Sequence, residues 1–172
     1  MKSHSEYEYY FVSLQPNFMM LELHNVTIGQ QIRGLSATVS EGNVLSIMGS
    51  QGKGKTTLLR VLLGFLPVDE GHVSIDGELL TPLSAPWFRK QMAYVPQHLS
   101  VPDGYTEVQT DYLWLLRRAV ESGKPLLLVD EPPQPLNEAD RQTADELLEQ
   151  AVRRGTTVVA VNQGNTQNCI QL

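Results

Sequence analysis

Apolar positions from Leu21 onward follow two periods, and the switches between them mark out the elements. Leu21, Leu23 and Val26 lead into Thr27, and Leu35, Ala37 and Val39 alternate with polar partners. A period of two predicts short half-buried strands. Glu41-Gly42-Asn43 reads as a turn, and Val44-Leu45-Ser46-Ile47-Met48 is an unbroken apolar run of strand length. Thr57–Leu63 then reads as a helix. A second helix is predicted at about Thr110–Ser122, with Leu113, Leu116, Ala119 and Val120 on one face. Pro125–Val129 has the composition of a strand buried on both faces, as in a parallel sheet. A third helix carries clear punctuation: Asn137 as cap with Asp140 three residues on, a stripe of Leu147, Leu148, Ala151 and Val152, and Gly155 as the stop. Thr156–Asn162 is another strand.

This order predicts a three-layer α/β domain of the P-loop type, with a mainly parallel central sheet and the Leu21–Val39 strands as an antiparallel β edge. Residues 1–18, MKSHSEYEYYFVSLQPNF, keep no period. They read as an unstructured extension ending at a Met19-Met20 pair that could be the true start, which leaves 19–172 as one domain.

Composition narrows the picture. The 172 residues suffice for one domain with a proper core. A formal net charge of −6 argues against a surface that coats nucleic acid. One cysteine, Cys169, excludes an internal disulfide framework and suits a reducing cytosol; apolar neighbours make it an expected core residue of a last strand. The longest apolar stretch, Val61–Val68, is broken by Gly64 and Pro67 and is too short to cross a bilayer, and no secretory leader is visible, so a soluble chain is expected. His4, His24, His72 and His98 share no spacing and suggest no metal centre.

The chemistry is concentrated after the apolar run at 44–48. Gly49-Ser50-Gln51-Gly52-Lys53-Gly54-Lys55-Thr56 fits G-x-x-x-x-G-K-[ST] without a mismatch, and Thr57 opens the helix that follows. Glycines let backbone N–H groups curl around phosphates, and a helix N-terminus adds the positive end of its dipole. Lys55 supplies a point charge for the β- and γ-phosphates, and the Thr56 hydroxyl is a magnesium ligand. Further on, Leu126-Leu127-Leu128-Val129 ends in Asp130-Glu131-Pro132. Acids at the carboxyl end of a parallel strand face the ligand crevice. Asp130 is the expected magnesium holder, directly or through water, and Glu131 the residue that polarises the attacking water.

Four stretches together resemble the ATP-binding cassette (ABC) family: Asn43–Arg60 its phosphate loop, Gly71-His72-Val73-Ser74-Ile75-Asp76-Gly77 its strand and turn, Met92-Ala93-Tyr94-Val95-Pro96-Gln97 the strand into its Q-loop, and Leu126–Pro132 its acidic strand. The resemblance as a whole runs from about Leu21 to Asn162. The resemblance implies an ATP-binding subunit taking Mg²⁺ with ATP, cytoplasmic or peripheral on the inner face of the cell membrane, with a transmembrane permease as partner. It implies that Gln97 touches the magnesium or lytic water, and that Gln163 stands where the family has its switch histidine. A glutamine there hydrogen-bonds but carries no positive charge.

Departures from the family pattern point the other way. Asp130 follows Gln97 by only 33 positions, where the family places a subdomain of several helices. The L-S-G-G-Q signature is absent, with Thr106-Glu107-Val108-Gln109-Thr110 at its expected place, so an ATP-sandwich homodimer is not expected. The segment Pro133-Gln134-Pro135-Leu136-Asn137 lacks the usual aspartate, and no aromatic for stacking on adenine lies between Val26 and Leu35. Lys53, where a small residue is usual, belongs to the nucleotide-binding loop and either adds a charge beside the phosphates or points to solvent, the second being expected. Two functions therefore stand: an ATP-hydrolysing transporter subunit, or a nucleotide-binding module with little or no turnover.

Overall fold

In the computed structural model, residues 19–98, 111–162 and 168–172 are described. The expected extension at 1–18, the signature position Thr106–Thr110 and Gln163 lie outside the described residues. The strands are β1 (Leu21–Ile28), β2 (Ile32–Val39), β3 (Val44–Met48), β4 (Glu70–Ile75), β5 (Glu78–Leu79), β6 (Met92–Val95), β7 (Leu126–Val129), β8 (Thr157–Val161) and β9 (Cys169–Gln171). The helices, numbered in chain order, are α1 (Lys55–Leu62), α2 (Ala85–Lys90), α3 (Tyr112–Glu121) and α4 (Glu138–Arg153).

Strands pair into two sheets. One is parallel, in the order β6-β7-β8-β3-β9; the other is antiparallel, in the order β2-β1-β4-β5. The α/β class is as expected, but the β1–β2 hairpin is not an edge of the parallel sheet. It recruits β4 and β5 and forms a sheet of its own. A two-stranded hairpin leaves an apolar face uncovered, and two further strands widen that face enough to pack as a layer.

Period-two alternation in the parallel strands assigns each face to a different core. Leu45, Ile47, Leu126, Leu128, Val159 and Val161 join Leu58, Leu59 and Leu62 of α1, together with Leu21, Leu23 and Val26 of β1. Helix α1 thus lies between the two sheets. The opposite face, with Leu127, Val129, Val158 and Ala160, packs against Leu116 and Val120 of α3 and Ala144, Leu147, Leu148 and Ala151 of α4. In the expected stripes, Leu113, Ala119 and Val152 are only half-buried, and Tyr112 and Ala144 take buried places instead.

The apolar spacing 21, 23, 26 has a local cause. The β1–β2 register shifts between Leu23 and Val26, with Asn25 at a φ of 47°, so a bulge returns Val26 to the core face. Gly71 on β4 lies against it: a Cβ there would stand 2.2 Å from the His24 carbonyl oxygen. Asn137 caps α4 as expected, its Oδ1 accepting from the Asp140 amide at 2.8 Å.

Cys169 corrects an expectation. It is exposed: among the described strands β9 pairs with β3 alone, and its alternation turns Ile170 inward while Cys169 and Gln171 face out.

Candidate nucleotide site

The phosphate loop is built between the end of β3 and the start of α1. Leu45 and Ile47 anchor the strand, Leu58 and Leu59 anchor the helix, and the glycine-rich turn between them has no core to fill. Gly54 caps the helix at a φ of 92°, a conformation that side-chain-bearing residues rarely adopt, so α1 starts at Lys55, two residues before the expected Thr57. The cap makes no side-chain hydrogen bond, which leaves first-turn amides for a ligand. Gly49–Gly52 and Gly54–Thr57 line a cleft of about 900 Å³, at the upper end of ligand-site volumes.

Lys55 is 6% exposed, and its ammonium is folded onto the loop, donating to the Gly49 carbonyl at 2.7 Å and the Ser50 carbonyl at 2.8 Å. Its nearest carboxylate oxygen is Glu131 Oε2 at 3.9 Å. Thr56 Oγ1 donates to Asp130 Oδ1 at 3.3 Å. Asp130 is 1% exposed, and the Glu131 amide donates to its Oδ1 at 2.9 Å. Tyr94 places its hydroxyl 3.5 Å from Asp130 Oδ2. Burial first, and then the Asp130 charge, pushes that phenol up to about 12, with Arg60 opposing. Thr56 and Asp130 therefore bring together a hydroxyl and a buried carboxylate, hard oxygen donors of the kind magnesium takes.

Of the expected residues, Gly49, Ser50, Gln51, Gly52, Gly54, Lys55, Thr56, Thr57, Gln97 and Glu131 all line the one cleft. Asp130 reaches it through Thr56 and Glu131. Lys53 is exposed, as expected, and is not among the lining residues.

A sequence profile of ABC transporters matches residues 32–166. The chain belongs to the ABC transporter family. An uncharacterised ABC transporter ATP-binding protein of Bacillus subtilis, YvrA, is 38% identical over 79 residues, which are 46% of this chain and 18% of that protein. The taurine import ATP-binding protein TauB of Ruegeria pomeroyi is 36% identical over 66 residues, 38% of this chain and 25% of that one. The matched stretches thus cover a small part of the relatives' length. Among solved structures, an ATP-binding cassette captured as a dimer in a post-hydrolysis state with ADP and phosphate is 20% identical. It covers 88% of this chain and 94% of that one, with a TM-score of 0.68.

Two residues of this ABC chain enter the site without a sequence signal. Gln31, at the tip of the β1–β2 hairpin, lines the cleft, and its Nε2 donates to the Gly52 carbonyl at 2.9 Å. It stands between Val26 and Leu35, a stretch with no aromatic residue. Asn162, at the end of β8, donates through Nδ2 to Glu131 Oε1 at 2.9 Å. No motif names either residue; strand pairing alone brings them in. Beyond Glu131 the cleft continues to Arg141 and Asp145 on α4. Partial burial pushes the Asp145 carboxyl up, Arg141 pulls it down, and Glu149 and Glu138 add to the rise.

Proposed function

We propose that this chain binds ATP with magnesium over Gly49–Thr57 and hydrolyses it slowly, as the nucleotide-binding subunit of a transporter whose membrane part is a separate permease. One observation carries this reading: Lys55, Thr56, Asp130 and Glu131, contributed by two separate strand ends, meet within hydrogen-bond or ion-pair distance at a single cleft. In it, Lys55 leaves the Gly49 and Ser50 carbonyls for the phosphates. Thr56 and Asp130 would hold the magnesium, and Gln97, on the same cleft, would reach the metal or the lytic water. Glu131 accepts a proton from the attacking water. Magnesium held there would supply positive charge against the negative charge that develops on the phosphates.

No helix among the described residues is long and apolar enough to cross a membrane, which is compatible with a subunit that works from the cytoplasmic side against a permease. Slow turnover follows from what the sequence lacks. One preorganised donor to developing negative charge is typically worth ~10²–10³ in rate, and both the signature run and the switch histidine are missing. Those absences favour a second reading, a nucleotide-binding module without turnover.

Phosphate release by the parent and by Glu131→Gln separates the two. Hydrolysis predicts that the parent exceeds the variant by at least about tenfold, a barrier difference of ~1.4 kcal/mol. Equal rates would leave the binding module. Light scattering with magnesium-ATP should find Glu131→Gln monomeric, since Thr106–Thr110 has no glycine for close backbone approach to a γ-phosphate. An ATP-dependent dimer, or brisk parental hydrolysis, would mean that another surface replaces the signature.

A further inference from the structure

In the parallel sheet β8 lies between β7 and β3. The residue that follows β8 is therefore flanked by Glu131, beyond β7, and Gly49, beyond β3. That residue is Asn162. Its φ of 50° is one that asparagine tolerates better than most side chains, and its amide donates to the Ile47 carbonyl at 2.9 Å, fixing it at the sheet edge.

Both ends of its carboxamide are used. Oδ1 accepts from the Gly49 amide at 3.3 Å, while Nδ2 donates to Glu131 Oε1 at 2.9 Å and lies 3.5 Å from the Gly49 carbonyl. An N–H needs an acceptor and a carboxylate needs a donor, so only one orientation of the amide satisfies both neighbours. The other Glu131 oxygen faces Lys55 at 3.9 Å. Glu131 is thus held by two partners, and one of them is required elsewhere: a γ-phosphate competes for the Lys55 ammonium. Once Lys55 turns to the nucleotide, Asn162 is the partner that remains, and the Glu131 side chain, 41% exposed, has open solvent to rotate into without it.

We infer that Asn162 is a positioning residue: it holds the Glu131 carboxylate against the start of the phosphate loop while Lys55 serves the phosphates. The inference rests on the hydrolysis reading above.

Three substitutions and one spectrum test it. Asn162→Asp is nearly isosteric and tolerates the same φ, but loses the donor; Asn162→Ala loses the side chain; Asn162→His keeps a donor. Misplacing a catalytic group lowers kcat without weakening ground-state binding, so Ala and Asp should lose roughly tenfold or more in kcat with KM within about twofold of parent, and His should recover most of the loss. In a Glu131→Gln background, Asn162→Ala should change turnover by less than about twofold, because the pair acts as one unit. In the nucleotide-free ¹⁵N-labelled chain, the side-chain amide signal that disappears in Asn162→Asp should shift in Glu131→Gln. Loss expressed in KM instead, full additivity in the double variant, or an amide signal blind to Glu131→Gln would each overturn the assignment. Parental turnover no faster than Glu131→Gln would remove the hydrolysis reading and the inference with it. That failure is recognisable because the amide shift would persist.

Discussion

Replacing Lys55 by alanine is the sharpest perturbation of the phosphate loop. Its ammonium is buried and already satisfied by two carbonyls at 2.7 and 2.8 Å, so nucleotide binding is an exchange and not a simple gain. Two unit charges 4 Å apart interact with ~4 kcal/mol at an effective dielectric of about 20, which sets the scale for one phosphate charge. Against this, a hydrogen bond to a charged group contributes ~1.5–3 kcal/mol net, and two are given up. The Glu131 attraction adds little to the cost, since that carboxylate is 41% exposed and screened. A β- and γ-phosphate pair carries more than one charge within reach, so the exchange remains favourable. Lys55→Ala should weaken magnesium-ATP by at least tenfold, or about 1.4 kcal/mol. Calorimetric titration measures it, with Lys53→Ala as the comparison. Lys53 is exposed and off the cleft, and its removal should change affinity by less than about twofold. A circular-dichroism melt of each variant separates lost binding from lost fold. Folded Lys55→Ala binding as tightly as parent would refute the assignment of the loop.

Other outcomes follow from single features. GTP should compete with ATP to within about threefold in the same calorimeter, because Gln31 and not an aromatic stands at the hairpin tip; a strong preference for ATP would mean that a ring from elsewhere, such as Tyr7, Tyr9 or Tyr10, reaches the base. Asn137→Ala removes the cap of α4 and should cost about 1 kcal/mol in urea unfolding; no loss would show that the Asp140 amide has another acceptor. Tyr94 binds its proton more tightly folded than unfolded, its pKa being about 12 against 10.0. Its contribution is therefore complete below pH 10 and lost as pH rises through 12, so parental stability should fall more steeply over that window than that of Tyr94→Phe. Equal slopes, read from urea midpoints, would count against the burial of that hydroxyl.

How much of this was legible in the residues depends on how far apart the cooperating groups lie. The phosphate loop is contiguous, and its glycines, lysine and threonine act within one turn, so Gly49–Thr57 could be read as a unit. Asn137 and Asp140 are three residues apart, and the cap formed as the local pattern required. The core faces were equally plain, since alternation along β7 and β8 reports which side each residue takes. Asp130 and Glu131 were recognisable because a run of four apolar residues ending in acids is a buried strand meeting a crevice.

What the sequence left open is everything that depends on which strand lies beside which. The antiparallel strands became a sheet of their own because β4 pairs with β1 across a separation that no local period reports. His24 and His72, unrelated in spacing, stand opposite each other in that pairing, with rings stacked 5.2 Å apart. Cys169 turned outward because pairing of β9 with β3 put Ile170 on the core face. Asn162 came to bridge Glu131 and Gly49 because β8 is inserted between β7 and β3. Local propensity and periodicity are properties of a few consecutive residues, whereas strand order is chosen by the burial of whole faces. The sequence therefore determined the loop, the acids and the caps, and the tertiary structure decided which side chains hold them in place.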